Sequence, residues 1–205
     1  MTIRALIFDI GGVLIRSVDK GRRDFWEGRL GVSGNQIAEA LWLSPTGRNA
    51  MAGKASEADA WTEVGRRFSL ERNELLRLED DFRAESTLEI DLLNFVRSLR
   101  PHYKLGIISD AFLSARSRVE SVFPAGIFDV MVFSAEEGVT KPDPVIFHRA
   151  LERLGVPAEQ ALFIDDLPHN VAAARSLGMK VIQCQNSRQV QQDILKILAG
   201  QGPQG

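Results

Sequence analysis

The chain has 205 residues, 44% of them hydrophobic, with 17 glycines, enough to bury one sizeable core and still carry a small accessory unit. Its 25 basic and 27 acidic residues leave a formal charge of -2, so it has no broad basic surface for nucleic acid or an anionic membrane, and neither is expected as a partner. A single cysteine, Cys184, excludes an intramolecular disulfide and a cysteine-cluster zinc site; with only a short apolar stretch after Arg4 and no run of membrane-spanning length, a cytoplasmic monomer or homodimer is expected.

The first apolar run, Ala5-Leu6-Ile7-Phe8, ends in Asp9 and a glycine turn, Gly11-Gly12, which places a carboxylate at the carboxyl end of a buried strand. Residues 16 to 86 turn helical. Ile37, Ala40 and Leu41 share one face, Trp61, Val64 and Phe68 another, and Leu75, Leu76 and Leu78 belong to a further apolar helix. Trp26, Trp42 and Trp61 all fall in this stretch and are read as core, while Arg22, Arg23, Arg66 and Arg67 are read as solvated helix faces. Helices and strands alternate thereafter. Leu92, Phe95, Val96 and Leu99 mark a helix before a strand at 104–109, which ends in Ser109-Asp110. A short strand around Val130 to Phe133 follows, then a Lys141-Pro-Asp-Pro turn and a helix with Phe147, Ala150, Leu151 and Leu154 on one stripe. The strand at 161–165 ends in Asp165-Asp166, Lys180 to Gln183 begins the last strand, and Val190, Ile194, Ile197 and Leu198 mark a terminal amphipathic helix before the tail at 200–205. Such alternation predicts an α/β fold, a doubly wound parallel sheet covered on both faces. His102, His148 and His169 lie in separate segments without metal-ligand spacing and are read as surface residues.

Taken singly, Asp9 or Asp166 reads as a turn aspartate capping the next element. With Ser109 and Lys141 in this order they form a constellation. FDIGGVL at residues 8–14, IISDA at 107–111, VTKPDPVIF at 139–147 and FIDDLPHNVAAARSLGM at 163–179 resemble the haloacid dehalogenase-like (HAD) hydrolase superfamily. The resemblance is closer to its soluble epoxide hydrolase N-terminal-like and sugar-phosphate phosphatase branch, and it covers nearly the whole chain. It implies a Rossmann-like core at 1–15 and 87–205 and a small helical cap at 16–86 that closes over the nucleophile turn and chooses the substrate.

The resemblance also implies roles. Asp9 attacks phosphorus and forms an aspartyl-phosphate, dividing one hard hydrolysis into two displacements. Asp9, Asp166 and the backbone carbonyl of Gly11 hold Mg2+, the expected cofactor. Ser109, Asp110 and Lys141 bind the substrate, with Ser109 and its neighbouring amides on the phosphate oxygens and Lys141 supplying a charge. Asp165 orients Lys141 or a metal-held water, and Asn170 braces that loop.

The chain departs from the family pattern at Gly11, where most HAD phosphatases carry an acid/base aspartate. General acid–base catalysis contributes roughly 100- to 10,000-fold. The enzyme is therefore expected to be slow, to take a substrate with a good leaving group such as a sugar 1-phosphate or acyl phosphate, or to use another acid, with Asp19 and Asp110 as candidates. The expected activity is Mg2+-dependent hydrolysis of a small soluble phosphorylated metabolite. Two alternatives remain: a 2-haloacid dehalogenase, which Asp166 disfavours because a carboxylate there repels a carboxylate substrate, and a non-catalytic phosphate-ligand-binding protein.

Overall fold

The computed structural model describes residues 2–17, 20–32, 35–84 and 86–200. Short apolar runs build its centre: β1 (Ala5–Phe8), β4 (Lys104–Ser109), β5 (Val130–Phe133), β6 (Ala161–Asp165) and β7 (Lys180–Gln183) form one parallel sheet in the order β5-β4-β1-β6-β7. Side chains alternate between its faces. Ala5, Ile7, Ile108, Ala161 and Phe163 pack with α9 (Pro144–Leu154) and α10 (Pro168–Ser176), through Ile146, Phe147, Ala150, Leu154 and Ala174. Leu6, Phe8, Leu105, Ile107, Leu162 and Ile164 face α6 (Ile90–Leu99), α7 (Ala115–Val122) and α11 (Ser187–Ala199), meeting Leu92, Val96, Val119, Val190 and Ile194. Because both faces are covered, the strands are continuously apolar rather than alternating with polar residues. Each fully buried Leu, Ile or Phe contributes about 1.5–3 kcal/mol, so burial on the two faces of the sheet is a main source of its stability.

Between β2 (Ile15–Ser17) and β3 (Ser86–Leu88) the described residues form five helices, α1 (Lys20–Leu30), α2 (Gln36–Trp42), α3 (Pro45–Met51), α4 (Glu57–Arg67) and α5 (Arg72–Ala84). The two flanking strands pair antiparallel, Ile15 with Leu88 and Arg16 with Thr87, a pairing that the sequence reading did not anticipate. The helices enclose an apolar cluster of their own, including Trp26, Ile37, Ala40, Leu41, Trp61, Val64 and Leu78. Trp26 and Trp61 are buried as expected, while Trp42 is half-buried. Leu75 packs partly and Leu78 fully against this cluster, but Leu76 is half exposed. The reason is geometric: positions three apart share a helix face, whereas adjacent positions do not. A short helix α8 (Ser134–Glu137) completes the elements between β5 and α9. The three histidines lie exposed, as expected.

Candidate active site

The register along β1 sets the site. Phe8 is level with Ile107 of β4 and Ile164 of β6, so the next residues, Asp9 and Asp165, stand together at the carboxyl edge of the central strands. Open α/β sheets bind ligands at this edge, where neighbouring strands leave in opposite directions. The Asp9 amide donates to the Ile164 carbonyl at 2.8 Å, and its Oδ1 accepts the Ile10 amide at 2.7 Å. The carboxylate is held by backbone before any charge partner is counted.

Lys141 arrives from the turn ahead of α9. Asp143 caps that helix by accepting the Val145 amide, and Pro144 occupies its first turn, so the helix starts directly after the lysine turn. The Lys141 ammonium, 1% exposed, lies 2.9 Å from Asp9 Oδ1, 2.7 Å from Asp165 Oδ2 and 3.3 Å from the Ile108 carbonyl. Its three donors are satisfied, as a buried ammonium requires. The two carboxylates raise its pKa above the ordinary lysine value, in spite of burial. Asp165, fully buried, also accepts the Leu167 amide at 2.8 Å and the Asn170 amide at 3.2 and 3.1 Å.

Asp166 is half-buried, and its carboxylate rests on the backbone of Gly12. A Cβ built at Gly12 would stand 2.4 Å from Asp166 Oδ2, and φ there is +74°, so only glycine fits. Gly11, by contrast, has an ordinary φ and open space around the position of a Cβ. Nothing in the sequence beyond the paired glycines separates the role of Gly12 from that of Gly11. Oxygens of Asp9, Asp165 and Asp166 all lie within 4.8 Å of one another. Burial pushes the Asp9 carboxyl up to about 7 against the pull of Lys141, and burial and Asp165 raise Asp166.

Ser109 is buried at the end of β4. Its surroundings differ from the expectation of a helix start: α7 begins only at Ala115, and the Ala111 amide donates to Ser134 Oγ at 2.9 Å. The amides next to Ser109 are therefore loop amides, without the summed dipole of a helix end. Asp110 Oδ1 accepts the Lys141 amide at 2.9 Å, which ties this loop to the lysine turn. Two residues on, Phe112 leaves the core and enters the apolar cluster of α1–α5, stacked on Trp42 with ring centres 4.5 Å apart. Ser114 donates to Glu57 at the start of α4, which also pairs with Arg118 and Arg83 at 3.2 Å each. Neither Phe112 nor Glu57 carried a sequence signal, because each acts through a contact between distant segments. Asp19 lies outside the described residues, and no described helix is long and apolar enough to cross a membrane.

A family model of haloacid dehalogenase-like hydrolases matches residues 3–178. Among curated relatives, a drimenol cyclase of Aspergillus calidoustus is 25% identical over 99% of this chain, which spans only 38% of that protein. A phosphatase of Mycobacterium tuberculosis is 28% identical over 98% of this chain and 96% of its own length. Among solved structures, a HAD family enzyme of Bacteroides thetaiotaomicron in complex with magnesium and inorganic phosphate has the same fold, with a TM-score of 0.72, 20% identity, and 89% and 94% of the two chains covered. With the parallel sheet, the carboxyl-edge cluster and a family match over most of its length, this chain belongs to the haloacid dehalogenase-like hydrolases.

Proposed function

We propose that the protein is a Mg2+-dependent phosphatase that hydrolyses a small phosphorylated metabolite, with sugar phosphates the first class to test, through an aspartyl-phosphate on Asp9. The observation that carries this reading is the buried ammonium of Lys141 held between Asp9 and Asp165, with Asp166 completing a carboxylate cluster within 4.8 Å. The donor set fits a hard divalent cation: it is all oxygen, it holds more negative charge than one ammonium offsets, and Asp9 stays partly protonated near neutrality without further positive charge. Asp9, Asp166 and the Gly11 carbonyl would hold Mg2+, and Asp165 is already committed to Lys141, Leu167 and Asn170. When bound, the ion offsets the negative charge on the transferring phosphoryl oxygens.

The remaining chemistry belongs to the chain. Lys141 and Ser109 bind phosphoryl oxygens, and a carboxylate oxygen of Asp9 attacks phosphorus as the bond to the leaving oxygen breaks. Water then attacks the phosphorus of the aspartyl-phosphate, and the electron pair of the cleaved bond returns to Asp9. Asp165 and Asn170 hold Lys141 in place throughout. Residues 16–86 act as a cap over a core of 1–15 and 87–205, excluding water and contacting the organic part of the substrate. The phosphatase relative and the magnesium and phosphate in the related structure support this reading.

A panel of phosphorylated metabolites assayed with Mg2+ and with chelator tests it. Phosphate release that requires Mg2+ and disappears in Asp9→Asn is expected. Halide release from a 2-haloacid, or ligand binding without turnover on the whole panel, would overturn it.

A further inference from the structure

The helical insertion and the lysine turn are joined by one short loop. We propose that Glu57, at the start of α4, is a positioning residue: by holding the loop at 110–114 it keeps Lys141 seated between Asp9 and Asp165. Its effect on turnover rests on the phosphatase reading above.

The loop leaves β4 directly after Ser109, and contacts pin it along its length. Asp110 Oδ1 accepts the Lys141 amide at 2.9 Å, on the turn that delivers the ammonium to Asp9. Ala111 exchanges two hydrogen bonds with Ser134 of α8: its amide donates to Oγ at 2.9 Å, and its carbonyl accepts from Oγ at 3.3 Å. Phe112 is buried in the cluster of the insertion and stacks on Trp42 at the end of α2. Ser114 donates its hydroxyl to Glu57. The four residue steps from 110 to 114 span at most about 14 Å, so a shift of α4 at one end is felt at the other.

Glu57 is the anchor on the side of the insertion. Besides Ser114 it meets Arg118, one turn further along α7, at 3.2 Å, and Arg83 of α5, also at 3.2 Å, so three side chains from two regions converge on one carboxylate. Burial alone would raise this carboxyl, but the bonds from Ser114 and Arg118 hold it below the ordinary glutamate value. The capping box of Ser56 with Asp59 fixes the first turn of α4, which carries it. A second contact runs beside the first. A Cβ built at Gly53, in the turn between α3 and α4, would stand 2.2 Å from the Ala135 carbonyl oxygen, so this turn lies against α8, the helix whose Ser134 holds Ala111. The start of α4 is thus seated on the loop and on its support, and the other end of that loop holds the Lys141 backbone.

Glu57→Ala and Ser114→Ala cut the same bond from its two sides, and amide hydrogen exchange together with inhibition by inorganic phosphate tests the consequence. The Lys141 amide, whose acceptor is Asp110, should exchange about 2- to 30-fold faster in both variants. Inorganic phosphate has no organic part to meet the insertion, so inhibition weakened by a similar factor reports Lys141 rather than lost substrate contacts. Arg29→Ala, which breaks the pair with Glu74 inside the insertion, should change neither readout. In an Asp110→Ala background the Lys141 amide has already lost its acceptor, and Glu57→Ala should add nothing further. Faster exchange confined to α4, with the Lys141 amide and phosphate inhibition as in the wild type, overturns the proposal and leaves Glu57 a stabilising residue of the insertion. Effects of Glu57→Ala and Asp110→Ala that simply add overturn it as well, because the loop is then not the link. If the Lys141 amide responds as expected in a protein that neither binds phosphate nor cleaves any phosphate ester, the positioning role stands and it is the phosphatase reading that fails.

Discussion

Around Asp9 the polar groups are buried and bonded to one another, whereas across α1–α5 they lie at the surface in loose pairs. Lys141, Asp9 and Asp165 are almost wholly out of water, and each is fixed by two or more contacts. The helical insertion instead shows pairs such as Arg29–Glu74 and Arg22–Asp81, with arginines about half exposed, worth about 0–1 kcal/mol each. A buried pair that loses one member leaves an uncompensated charge, and a surface pair that does so leaves a solvated one. The carboxyl-edge cluster is thus costly to change, while the surface of the helical insertion can vary cheaply.

The sharpest way to break this contrast is Asp9→Asn. Turnover should fall at least about 1000-fold, because an amide is a poor nucleophile, with the melting temperature kept or raised. Steady-state kinetics and calorimetry on one preparation check both halves. Asp165→Ala should next cost about 3–5 kcal/mol of stability, since it strips a buried ammonium of one partner. Asp166→Ala, half-buried and outside that pair, should leave denaturant unfolding nearly unchanged and lose Mg2+ binding in a calorimetric titration. A large stability loss in Asp166→Ala and none in Asp165→Ala would reverse the division of labour.

Phe112→Ala probes the joint between the regions. It should cost about 3 kcal/mol and speed amide exchange in α2, next to Trp42, more than in the sheet. Uniform exchange changes would mean that insertion and sheet unfold as one unit. A further effect concerns pH in the cation-free protein. Asp9 holds its proton to about 7 when folded and releases it near 3.8 otherwise. Its contribution to stability is therefore complete below 3.8 and is lost as pH rises through about 7. Melting temperatures of wild type and Asp9→Asn should diverge over that range in chelator and draw together with Mg2+. Ser56→Ala should give the smallest change, about 1 kcal/mol, by removing the capping box that Ser56 forms with Asp59 at the start of α4.

What was legible in the sequence follows the range of the forces. The strands at 104–109 and 161–165 and the helix with Phe147, Ala150, Leu151 and Leu154 were readable, because period and turn chemistry are local. The order Asp9, Ser109, Lys141, Asp165-Asp166 was readable as a set, since each residue sits where an apolar run ends or a proline turn begins. The contact of Asp165 with Lys141 was among the expectations, whereas that of Lys141 with Asp9 was not, because it joins residues more than a hundred positions apart. That Leu75, Leu76 and Leu78 belong to one helix was readable, but composition alone does not show that Leu76 is the one left exposed. Phe112 carries no signal of its own in the sequence, and the stacked Trp42 shows which region it serves.

That placement of Phe112 bears on exchanging insertions between related proteins. A graft cut at the paired strands Ile15–Ser17 and Ser86–Leu88 would carry away Trp42 and leave its stacking partner behind on the core. The host would then present a large aromatic ring to a foreign helix surface, three residues from Ser109. The transferable unit is therefore discontinuous: the helices together with the loop from Asp110 to Ser114, whose first residue fastens to Lys141 and whose last meets Glu57. A chimera built on that unit would inherit both the helices and the loop packed against them, whereas one built on the helices alone would set the two against each other.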